Sequence, residues 1–116
     1  MKEYMMIFIG ADYEELGLSP EQLQERMGKW FEWSNKMEQK GILRGGNALH
    51  SPAKRISGDD KVVSDGPFVE GKELVGGYFV IAAQNEDEVI KEAQDNFPDY
   101  DLGGLVEVRE VVVFDN

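Results

Sequence analysis

Two strand-like segments, residues 3–9 and 74–83, are apolar on both faces, and this constrains the fold more than any other feature of the chain. The first alternates Met5, Ile7 and Ile9 with Tyr4, Met6 and Phe8; the second alternates Tyr78, Val80 and Ala82 with Phe79, Ile81 and Ala83. A strand with one wet face alternates apolar with polar residues, so a run apolar on both sides belongs to a strand covered on both sides. The chain offers only two long helices, which cover one face of a sheet. The other face would be a large exposed apolar patch unless something packs on it. The economical cover is a second copy placed sheet to sheet about a twofold axis, so a homodimer is expected.

The remaining elements follow from caps and periodicity. Ser19-Pro20-Glu21-Gln22 is a helix start: Ser19 caps, Pro20 suits the first turn and Gln22 completes a capping box. That helix runs to about Lys40, where Gly41 stops it. Leu23, Met27, Trp30, Phe31, Trp33 and Met37 fall on one arc roughly 160° wide, which reads as a core-packing face. Residues 42–50 form a strand with a bend or bulge at Gly45-Gly46, and 53–57 with 61–64 form a hairpin around Gly58-Asp59-Asp60. Residues 65–73 are a loop. Asn85, with Glu88 three residues on, opens a helix whose inner face is Val89, Ile90, Ala93 and Phe97, and Pro98 ends it. Residues 105–114 make the last strand. The result is one α+β domain over residues 1–116, of ferredoxin-like split βαβ order with an inserted β-hairpin.

Charge and composition remove several function classes. At 116 residues a single domain buries enough surface for a core, and with no cysteine there are no disulfides, thiolate metal sites or Cys nucleophiles. The net charge is −11, spread as −4 over residues 1–39, +3 over 40–61 and −10 over 62–116. That balance excludes duplex nucleic acid as partner, because phosphates need Lys and Arg. The local basic excess suits a small anion, and the acidic remainder serves solubility. No apolar run approaches the roughly 18 residues of a membrane span. The opening Met1-Lys2-Glu3 leads into a strand with no A-x-A-like cleavage site, so a cytoplasmic protein is expected.

Little of the standard catalytic vocabulary is present. There is no G-x-S-x-G elbow, a lone His50 is a poor start for zinc, and the glycine pairs lack nucleotide-loop spacing, reading better as close backbone approaches. No metal or organic cofactor is expected. The dense segment is Asp65-Gly66-Pro67-Phe68-Val69-Glu70-Gly71-Lys72-Glu73. Pro67 fixes the backbone. Asp65 either holds an Asx-type turn or presents a carboxylate to a cavity, able to orient a histidine or take a proton. Glu70, Lys72 and Glu73 read first as surface or interface ion pairs.

This motif, followed by Leu74-Val75-Gly76-Gly77-Tyr78-Phe79, resembles that of the DGPF-domain, or YCII-related, proteins. The resemblance extends to the N-terminal Tyr-Met-Met-Ile strand, the Gly41–Leu49 segment, the Asn-Glu-Asp-Glu helix entry and the closing Val-Glu-Val-Arg-Glu-Val. It implies a ferredoxin-like fold forming a dimeric α/β barrel, and no firm activity: some members are similar to small-molecule isomerases and dehydrochlorinase-like enzymes, others to sigma-factor accessory proteins. It further implies a His–Asp pair facing the barrel cavity, of which Asp65 matches the Asp, while His50 is this chain's single candidate for the His.

Two functions follow as expectations. In the first, the protein is a cofactor-independent acid/base enzyme, isomerase or lyase-like, with its site near residues 65–73. His50 and Asp65 are its catalytic residues; Arg44 or Arg55 holds an anionic group, Tyr78 donates to an oxyanion, and Phe68, Glu70 and Lys72 complete the binding site. In the second, the same cavity belongs to a non-catalytic small-molecule-binding or regulatory module, or a partner protein docks on the acidic stretch 86–101.

Overall fold

The computed structural model describes residues 1–66 and 74–115. Along the chain lie β1 (Lys2–Ile9), α1 (Tyr13–Leu16), α2 (Pro20–Gln39), β2 (Leu43–Ala48), β3 (Ala53–Ser57), β4 (Val62–Gly66), β5 (Val75–Ala83), α3 (Glu86–Asn96), a 3-10 turn at Tyr100–Leu102 and β6 (Leu105–Glu110). Four strands form an antiparallel sheet in the order β2-β5-β1-β6, and β3 pairs with β4 as a separate hairpin. With the hairpin set aside, the sheet strands and α2 and α3 run βαββαβ, which is the ferredoxin-like arrangement expected from the sequence. The two central positions go to β1 and β5, the segments apolar on both faces.

Local chemistry places the helices. Ser19 Oγ accepts from the Gln22 N–H at 3.1 Å while Gln22 Oε1 accepts from the Ser19 N–H at 3.0 Å, so the capping box that opens α2 is complete. Asn85 Oδ1 accepts from the Glu88 N–H at 3.1 Å and opens α3 in the same way. Both helices lie on the Tyr4/Met6/Phe8 side of β1, where Trp33 and Met37 of α2 and Val89 and Ala93 of α3 are buried with Ile81 and Phe97. Phe8 is the hub. Its ring centroid lies 4.7 Å from Trp30, 5.2 Å from Phe79, 5.6 Å from Phe97 and 5.8 Å from Trp33. Each such aromatic pair adds about 0.5–1.5 kcal/mol beyond the burial of its area. On the opposite face Met5, Ile7, Ile9 and Val80 remain half-exposed in the single chain.

Several expectations are corrected. The last strand stops at Glu110 rather than 114: Tyr4 faces Glu110 and the Val111 N–H reaches Glu3 O at 2.9 Å, after which β1 has almost no residues left to pair. Val112, Val113 and Phe114 are accordingly exposed. Asp65 does not begin a loop; the β3–β4 ladder extends to Gly66 and sets Asp65 opposite Lys54. Short α1 and the 3-10 turn were not anticipated. The apolar arc of α2 is also not uniformly core, since Phe31 is 61% exposed and Leu23 and Met27 are partly exposed.

The glycine pairs behave as expected. A register shift falls between Leu43 and Gly45, and a Cβ on Gly77 would lie 2.7 Å from the Asn47 carbonyl oxygen and 3.2 Å from Ala48 Cα. Both contacts are backbone and cannot rotate away. Gly77→Ala is therefore expected to separate β2 from β5 and to cost about 1–3 kcal/mol, the scale of overpacking a fitted site. Urea unfolding measures this, and an unchanged midpoint would show that the strands tolerate the methyl group.

Candidate functional site

The chain leaves β1 through Gly10 and Ala11, at φ 83° and 54°. A left-handed alanine is uncommon and costs about 1 kcal/mol or more, so neighbouring bonds must hold it. They do. The Gly10 N–H donates to Leu74 O at 2.9 Å. Asp12 Oδ1 accepts from the Glu14 N–H at 3.0 Å, capping α1, and from the Ser51 hydroxyl at 2.8 Å. This tight exit turns Tyr13 inward.

Tyr13 then joins a buried network. Its hydroxyl donates to Asp99 Oδ2 at 2.6 Å and accepts from Trp30 Nε1–H at 2.9 Å. Asp99 is 3% exposed, and Arg26 Nη1 lies 3.4 Å from its Oδ1. The same guanidinium donates to Pro98 O at 2.7 Å and takes Asp101 in a fork of 2.8 and 2.6 Å. Burial, and then the bond to Asp99, push the Tyr13 phenol well above the ordinary tyrosine value. The hydrogen bond from Arg26 holds the Asp101 carboxyl below its usual value. Losing Arg26 would leave the buried Asp99 charge unmatched, at a cost of about 3–5 kcal/mol.

Beside this network opens a cavity of about 360 Å³ between α2 and the β2–β5 end of the sheet. Trp30, Phe31 and Phe79 form aromatic wall, and Asp12, Tyr13, Glu14 and Asp99 supply the ionisable groups. Leu74, the first described residue after 67–73, lines it as well. Met27 and Phe31 of the α2 arc are thus cavity wall. Tyr78 Oη accepts from Asn47 Nδ2 at 3.0 Å, which leaves its own O–H to donate elsewhere. Among the described residues no three His, Asp or Glu side chains lie together as a metal-ligand set.

Of the site residues expected from sequence, Tyr78 borders the cavity along β5, but strand alternation puts its ring on the other face of the sheet with Ile7 and Val80. His50 is 96% exposed just past β2, its Nδ1 3.7 Å from Glu14 Oε1. With Lys54 and Arg55 it lines a shallower groove that adjoins the cavity along Leu49, Ser51, Leu74 and Val75. Asp65 pairs with Lys54, both exposed on the hairpin. Arg44 donates to Gly41 O at 2.6 Å at the far end of β2. Phe68, Glu70 and Lys72 lie outside the described residues. The Tyr13–Asp99 pair was missed, and only half of it had a signal. Asp12 followed by Glu15 has capping-box spacing and could have revealed α1, whereas nothing local to Asp99 announces a partner 86 positions away.

The family profile described as the YCII-related domain matches residues 3–115 of this chain. Among solved structures, the chain is similar to the 5-chloro-2-hydroxyhydroquinone dehydrochlorinase (TftG) from Burkholderia phenoliruptrix AC1100, solved in complex with 2,5-dihydroxybenzoquinone. The identity is 15%, the TM-score is 0.49, and the match covers 95% of this chain and 93% of that one. No curated protein matches the chain.

Because the native phenol of Tyr13 is held neutral, its stabilising contribution is complete below the unfolded tyrosine value of about 10 and is lost as pH rises past it. Stability measured by urea from about pH 9 to 11 is expected to fall with a steeper slope in the wild type than in Tyr13→Phe. Equal slopes would mean that the phenol is not held by Asp99.

Proposed function

The chain belongs to the YCII-related domain family, and we propose that it is a small-molecule enzyme working by general acid/base chemistry in the aromatic cavity, with no resident cofactor. One observation carries this reading: a single apolar cavity collects two carboxylates able to take a proton, Asp12 and Glu14, beside the rings of Trp30, Phe31 and Phe79. Proton transfer beside a carbonyl starts with a base that removes the proton from carbon. Isomerisation or elimination beside a carbonyl is the reaction class that fits.

In this scheme Asp12 removes the proton from carbon, and Glu14 at the cavity mouth exchanges its proton with solvent through His50. Asp99 and Trp30 are positioning residues that hold Tyr13 in the wall. Asp65, on the β3–β4 hairpin, is the second candidate for orienting His50. The half-exposed sheet face of Met5, Ile7 and Val80 is covered by a second copy, so the working form is a homodimer. Static light scattering at micromolar concentration is expected to give twice the chain mass, and a monomer would overturn this.

The test is deuterium exchange at carbon beside the carbonyl, followed by NMR in D₂O over a panel of small ketones and aldehydes. The wild type is expected to exchange at least one of them. Asp12→Asn should lower the rate about 10²–10⁴-fold with binding of a neutral substrate changed only a few-fold, the scale of a lost general base. His50→Gln and Glu14→Gln should slow exchange together, whereas a loss in Asp65→Asn of the same size would assign the orienting role to Asp65. A second reading, a non-catalytic binding or regulatory module, including a sigma-factor-associated one, is favoured by the exposure of His50. Binding without exchange in the wild type would select it.

A further inference from the structure

We propose that the cavity selects an organic cation, an amine or ammonium group carried on an apolar body, and rejects anionic ligands. The inference rests on the reading that the cavity is a ligand site, but not on the chemistry proposed for it.

The charge of the lining points this way. Among the described residues the wall holds three carboxylates and no Lys, Arg or His. The three are not equivalent. Asp99 is already matched by Arg26, a cation held by Asp101 and Pro98 O and absent from the lining. Glu14 Oε1 lies 3.7 Å from His50 Nδ1 at the exposed rim. Asp12 is in no ion pair among the described residues; its partners are an amide N–H and the Ser51 hydroxyl, both neutral donors. An incoming carboxylate or phosphate would therefore meet like charge and find no cation, whereas an ammonium would meet Asp12 directly.

The rest of the wall is also suited to a cation. Aromatic faces attract ammonium groups through their quadrupoles, most strongly where water is excluded. Trp30, Phe31 and Phe79 line the same space as Asp12 and Glu14. Aromatic wall plus carboxylate is a pairing that recognises an amine by charge and its carbon body by burial. The volume of about 360 Å³ suits a small molecule. This also revises the expectation that Arg44 or Arg55 holds an anionic substrate, since neither lines the cavity.

Three probes of similar shape test the proposal at neutral pH: 2-phenylethylamine as the cation, 2-phenylethanol as the neutral form and 3-phenylpropanoate as the anion. Binding is read from the indole N–H resonance of Trp30 and from tryptophan fluorescence. The amine is expected to bind about tenfold or more tighter than the alcohol, and the anion weakest. In the double variant Asp12→Asn/Glu14→Gln the amine should fall to the affinity of the alcohol, with alcohol binding unchanged. Asn caps α1 as well as Asp does, so the fold of the site is kept. The control is Glu86→Gln/Asp87→Asn, which removes two exposed charges outside the cavity and should keep the preference.

An anion bound as tightly as the amine would overturn the proposal, as would an amine preference that survives the cavity variant or disappears in the control. Failure of all three probes to bind at millimolar concentration would overturn it too. None of these outcomes depends on deuterium exchange, so the acid/base reading fails or stands separately.

Discussion

The buried charge of Asp99 organises the end of the molecule where the cavity lies. A carboxylate that is 3% exposed needs hydrogen-bond donors, and it draws them from two separate parts of the chain, while its backbone is held by a third. Tyr13 comes from α1, Arg26 from the first half of α2, and the N–H groups of Leu102 and Gly104 close the turn around its backbone carbonyl, each at 3.0 Å. Trp30 joins through Tyr13. The segment between α3 and β6 is thereby tied to α2 and to the exit of β1. Arg26 of α2 is held there by Pro98, Asp99 and Asp101 together, beside Met27 and Trp30 on the cavity wall.

The aromatic cluster supplies the other half of the restraint. Phe8 touches rings from α2, β5 and the end of α3, and Trp30 and Phe79 serve both as core neighbours of Phe8 and as cavity wall. The wall is therefore an extension of the core, held by the same contacts. Rings fixed this way present their faces with little entropy to lose on binding, which favours a preformed site. The strained exit at Gly10 and Ala11 completes it by turning Asp12 and Tyr13 toward the same space.

Much of the fold was legible because it is written in short-range patterns. Ser19 with Gln22 and Asn85 with Glu88 are caps whose partners lie three residues away, and both form as read. The apolar runs of β1 and β5 announced central strands, and the paired glycines announced close backbone approaches at Gly77 and Gly46. The failures have the same logic. The valines of 111–113 continue a strand pattern, but a strand lasts only as long as its neighbour does, and β1 begins at Lys2. The α2 stripe was periodic along its whole length, yet periodicity cannot say whether the facing surface is a sheet or a cavity.

The candidate site divides along the same line. Its residue types, aromatic rings at helical spacing and a phenylalanine on β5, stand in the sequence, as does the acid excess. Which of them meet was decided by tertiary structure alone. Asp99 and Tyr13 are 86 positions apart, and their bond exists because βαββαβ topology returns the α3–β6 turn to the exit of β1. The same topology set Asp65 against Lys54 on a hairpin and left His50 beside Glu14. The sequence by itself determined the elements, the central strands and the family, because those depend on near neighbours and on apolar patterning. Only the tertiary structure decided the chemistry of the cavity, because the meeting of distant charges depends on chain return, and no local pattern encodes it.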